Sequence, residues 1–176
     1  MLLVNHLHDN VTMALDALTD ALRPYVEERL KATHGDDWVA VVRKGFQSDR
    51  QQQDLSDEIG NWDAHALLSV MWDHWNSVFR RHLGLFERSL VAELRAFRNR
   101  WAHQKGFNFD DTYRLLDSVQ RLLTRIEAEN VSRISELKFE ILREEFGDSI
   151  NSEAQAKEDL RERWVAAGVY ASCGAV

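Results

Sequence analysis

Three side chains past the middle of the chain, Arg98, Asn99 and His103, place a permanent cation, a neutral hydrogen-bonding group and an imidazole within six residues. That set suits charge and proton transfer at a phosphate. An arginine keeps its proton and offers a fork of donors matched to phosphate oxygens. A histidine titrates near neutrality, so His103 can take a proton or give one.

These residues need a rigid support, and the pattern supplies one. A helix is predicted from about Phe86, ending in Arg98-Asn99-Arg100-Trp101-Ala102-His103, with Gly106 as the breaker. Asn99 and His103 then stand one turn apart on one face, and Arg98, one position back, reaches the same point. Leu90, Leu94, Phe97 and Trp101 recur at steps of four, three and four, an apolar seam that turns the polar trio outward. Two plainer roles stand beside this one: His103 as a helix C-cap, and the arginines as surface partners of Glu87 or Glu93.

Charge is distributed unevenly around that helix. The formal net charge is −7, yet residues 80–105 hold seven Arg/Lys against Glu87 and Glu93, a local +5 that leaves −12 for the rest. A positive patch on an acidic body suits a confined anionic substrate better than a long groove along a duplex. Arg95, Arg100 and Lys105 are therefore expected to bind substrate.

In the chain as a whole, 44% hydrophobic and 10% aromatic residues, one proline and eight glycines describe one globular, nearly all-α domain without strands. Val11, Leu15, Leu18, Leu22, Val26 and Leu30 stripe a first helix or two collinear ones, with Pro24 marking either a kink or the start of a second segment. Gly35 stops it. A short helix follows from Trp38, then a polar loop from Gln47 to Gln53. Asp63 is expected to cap a helix running through Leu67, Leu68, Met71, Trp72, Trp75, Val78 and Phe79. Trp62, Trp72 and Trp75 read as core or dimer interface rather than as base-stacking groups. Asp110 is expected to cap a long helix whose apolar period continues from Tyr113 through Ile134 to Phe146. Residues 131–176 read as a helical extension and tail, Val165 to Val176 resembling a truncation end, the start of a linker to a missing domain.

Several classes of function are unsupported. Cys173 has no disulfide partner and no Cys/His spacing matches a zinc site, which fits a reducing cytoplasm. His6 and His8 lack a third ligand. No apolar run approaches a membrane span, no signal-peptide core follows Met1, and no glycine-rich phosphate loop is present.

Arg98-Asn99-x-x-x-His103 resembles the Arg-polar-x(3 to 5)-His signature of the HEPN superfamily, and the chain is most similar to its Swt-type branch. The likeness extends along Leu15-x-x-Leu18-x-x-x-Leu22-x-Pro24, Gly35-Asp36-Asp37-Trp38 and Phe109-x-Asp111, covering about residues 10–128. The resemblance implies a four- to five-helix bundle over residues 1–130 that dimerises and joins two motif copies in one cleft. It implies a metal-independent endoribonuclease needing no cofactor, with Arg98 and His103 catalytic and Asn99 positioning them. It also permits a toxin or defence role with a nucleotidyltransferase-type antitoxin or a partner ATPase, or a noncatalytic RNA-binding or adaptor module. Metal-free RNA cleavage needs a base for the 2′-OH, a cation for the phosphorane and an acid for the 5′-oxygen. One imidazole cannot be base and acid at once. Two chains would supply two.

Overall fold

Six α-helices and no strand make up the described part of the chain. The computed structural model describes residues 2–45, 56 and 58–173, side chains at 2–5, 45, 148–154 and 164–173 excepted; the expected polar loop from Gln47 to Gln53 lies outside them. In order these are α1 (Leu2–His34), α2 (Trp38–Gly45), α3 (Ala64–Asp73), α4 (Leu85–Ala102), α5 (Phe109–Arg125) and α6 (Val131–Cys173).

The stripe on α1 explains its central place. Val11, Leu15, Leu18, Leu22, Val26 and Leu30 are all buried, and α1 packs against α3, α4 and α5 while α2 lies beside it. Burying each such side chain is worth about 1.5–3 kcal/mol, enough for the helix to continue through Pro24, which is exposed. Gly35 ends α1 with φ +67°, a left-handed conformation glycine adopts without a Cβ clash. Around α1, α3 packs on α4 and α4 on α5. Trp62, Trp75, Phe79, Leu67, Leu68 and Met71 are fully buried among these helices.

Three boundaries differ from expectation. Helix α3 stops at Asp73, where the His74 N–H turns back to Val70 and Trp72; Trp75, Val78 and Phe79 still enter the core, from turns and a short 3-10 segment. Asn108, not Asp110, caps α5: its side-chain oxygen accepts the Asp111 N–H at 2.8 Å. The long helix expected onward from Asp110 is broken. Glu127 adopts φ 57°, its N–H bonds Thr124, and the Ala128 N–H bonds Leu123, the paired bonds of a Schellman turn. Asn130 Nδ2 then donates to the Ala17 carbonyl at 2.8 Å, tying the turn to α1.

The chain forms two compact units, Met1–Lys138 and Phe139–Val176. Within the first, Lys138 bonds Asp117 and Gln120, and Ile134 and Leu137 are buried. Burial would raise the Asp117 carboxyl, but Lys138 and Arg121 hold it below its ordinary value. The second unit is helical to Cys173, so the expected uncharged tail continues the helix that far.

Candidate active site on the motif helix

Helix α4 begins with Gly84 N–H donating to Glu87 Oε2 at 2.7 Å and buries Leu90, Val91 and Leu94. Phe97 and Trp101 continue the seam half-buried. The Trp101 Nε1–H donates to Thr12 Oγ1 at 2.9 Å, and His8 stacks on its ring at 6.2 Å. The far end of α4 is thereby clamped to α1.

The helix ends at the motif, and Gly106 is not what ends it. Gln104 takes φ 51°, its N–H bonds Trp101 and the Lys105 N–H bonds Arg100, a second Schellman turn. His103 is the C-cap, its own N–H on the Asn99 carbonyl. Its imidazole is exposed and has no hydrogen-bond or ion-pair partner among the described residues.

Arg98 is fixed from another element. Its Nη2 donates to Asp63 Oδ2 at 2.7 Å, while Asp63 Oδ1 accepts the Ala66 N–H at 2.9 Å and caps α3. Burial would raise the Asp63 carboxyl, but the Ala66 amide and Arg98 hold it below its ordinary value. His65, in the first turn of α3, is half-buried and lies beside the Asn99 side chain. Burial first, then the Arg98 and Arg95 charges, depress its pKa; Asp63 and Asn99 oppose them. The imidazole beside the motif thus stays neutral over a wider pH range than an ordinary histidine.

Arg95, Arg98 and Asn99 therefore meet His65 and Asp63 on one side of α4. Arg100 and Lys105 serve the turn beyond. Arg100 Nη1 pairs with Asp111 at 2.6 Å, Nη2 donates to the Gly106 carbonyl, and the guanidinium lies 4.8 Å from the Phe107 ring centre. Lys105 is exposed. Neither Glu87 nor Glu93 takes a motif arginine: Glu87 faces Arg125, and Glu93 holds Arg114 and Ser118. Of the three tryptophans, Trp62 and Trp75 are core and Trp72 is half-exposed.

Sequence reasoning missed His65 and saw only the cap in Asp63. The available signal was Asp63-x-His65 opening the helix that precedes the motif helix, a pattern too short to stand alone.

A family model described as Swt1-like HEPN matches residues 13–127, from α1 to the turn after α5. No curated protein and no solved structure gives a significant match.

Proposed function

The chain belongs to the Swt1-like HEPN family, and from that premise we propose that it is an endoribonuclease that cuts RNA without a metal ion. One observation carries this reading: Arg98 is held in place by Asp63 beside Asn99 and His65, while an unpartnered, exposed His103 closes the same helix. A fixed cation and a free imidazole are what phosphodiester transfer needs.

In this reaction a base takes the 2′-OH proton and O2′ attacks phosphorus. The P–O5′ bond breaks and an acid protonates O5′, leaving a 2′,3′-cyclic phosphate and a 5′-OH. Arg98 spends one Nη on Asp63 and turns its remaining donors to the phosphorane oxygens. His103 moves protons. Asn99, beside His65, positions the pair. A homodimer with both motifs in one cleft supplies two His103 imidazoles, one as base and one as acid. The same reading makes the chain a cytoplasmic toxin or defence module, held by a nucleotidyltransferase-type antitoxin or coupled to an ATPase. Among the described residues no helix is long and apolar enough to cross a membrane.

The Arg98–Asp63 pair also favours a second reading, a noncatalytic RNA-binding or dimerisation module, because it gives Arg98 work in the fold that needs no substrate. Cleavage of labelled single-stranded RNA in chelator separates the two. His103→Ala should keep the fold and lose about 10²–10⁴ in rate, and mixing it with wild-type subunits should depress the wild-type rate. Equal rates in wild type and variant sink the enzyme reading, and an active monomer at full rate sinks the composite cleft.

A further inference from the structure

Beside the motif, the indole of Trp72 on α3 carries two guanidinium groups from α4, Arg88 at 4.7 Å and Arg95 at 5.5 Å from the ring centre. Arg98, Arg100, Arg114, Arg121 and Arg125 each pair with a carboxylate; among the described residues these two do not. Among the described residues neither makes a hydrogen bond or ion pair, and the Arg88 Nε is buried without a partner. Cation–π contacts of this kind hold both side chains without cancelling their charge.

The placement is directional. Arg88 and Arg95 are seven residues apart, about 10.5 Å along a helix, and Asn99 follows four residues later on the same face. Two cations that no described carboxylate compensates thus lead along α4 to the side chains that meet at Arg98. Glu87 and Glu93, which could have quenched them, face Arg125 and Arg114 on the α5 side.

We propose that the Arg88–Trp72–Arg95 cluster is a subsite for the sugar-phosphate backbone of single-stranded RNA, guiding the strand to Arg98 and His103. The inference rests on the RNA reading above and deepens it. Guanidinium forks fit phosphate oxygens, and the indole spares each the entropy of being fixed when the strand arrives. An acidic polypeptide would meet the same charge and is a competing outcome of the test.

The test measures binding without cleavage. A labelled single-stranded oligoribonucleotide is titrated with His103→Ala protein in chelator over a range of KCl concentrations. Each phosphate neutralised on a single strand contributes about 0.7 to the slope of log affinity against log salt. Adding Arg88→Gln or Arg95→Gln should flatten the slope by about 0.7 each and by about 1.4 together, with cooperative thermal melting retained. Adding Trp72→Leu should weaken binding several-fold while keeping the slope, since the charges stay but lose their support. A slope unchanged by both arginine substitutions overturns the subsite and leaves the proposed function standing. Binding displaced equally well by polyglutamate overturns it in favour of an acidic polypeptide. A parent protein that binds no RNA overturns both readings.

Discussion

Asp63→Asn separates two jobs that one carboxylate performs. Oδ1 caps α3 through the Ala66 N–H and Oδ2 holds Arg98. Asparagine caps a helix about as well as aspartate, so the substitution deletes the ion pair and spares the helix start. The Asp63 side chain is 58% exposed, which screens the pair, and exposed pairs contribute about 0.2–1 kcal/mol. For a chain of this length, 1 kcal/mol moves Tm by about 2–4 °C. Asp63→Asn should therefore lower Tm by no more than about 4 °C, and Asp63→Ala, which also loses a cap worth about 1 kcal/mol, by roughly twice that. RNA cleavage should fall about tenfold or more in both, because a guanidinium that loses its direction no longer meets the phosphorane. Differential scanning fluorimetry and single-turnover cleavage read the two effects separately. A stability loss of about 3 kcal/mol or more in Asp63→Asn would identify a desolvated ion pair and make Arg98 a fold staple. Full cleavage in both variants would refute the claim that orienting Arg98 matters.

Two further outcomes follow from the fold. His65 and His74 both have pKa values depressed by burial, the first also by Arg98 and Arg95 and the second by His34. The unfolded chain then binds more protons than the folded one below about 6.5, so the stability present above that value drains away as pH falls through the folded-state values. Urea midpoints should drop between pH 7.5 and 5, and His74→Gln should flatten the drop; a parallel profile in the variant would remove His74 from the account. Thr12→Val leaves the half-buried Trp101 N–H without its acceptor, so it should cost about 1 kcal/mol, read as a Tm lower by about 2–4 °C; an unchanged Tm would mean the clamp contributes nothing.

Local periodicity made much of this molecule legible in the sequence. The α1 stripe is wholly buried, Gly35 ends α1, and Asp63 caps α3 as its spacing implied. Two misreadings, the end of the motif helix and the long helix expected from Asp110, share one cause, a conformation that residue type does not announce. Gln104 and Glu127 both enter the left-handed region where glycine would be usual, so Gly106 drew attention from the first turn and the apolar period ran straight across the second. At the site, the motif fixed which residues of α4 share a face, but the partner of Arg98 lies 35 residues earlier on another helix. No spacing rule reaches that far. Trp72 is half-exposed and carries two arginines, a tertiary outcome that its place in an apolar run concealed.

The clamp on Trp101 bears on how this protein is dissected. The matched family region starts at residue 13, one position after Thr12 and five after His8, the two residues that grip the indole from α1. A fragment trimmed to that boundary would carry every motif side chain yet lose the latch on the helix that displays them, along with buried Asn10 and Val11. Silence from such a fragment would describe its loosened hinge pin rather than the chemistry of the intact chain.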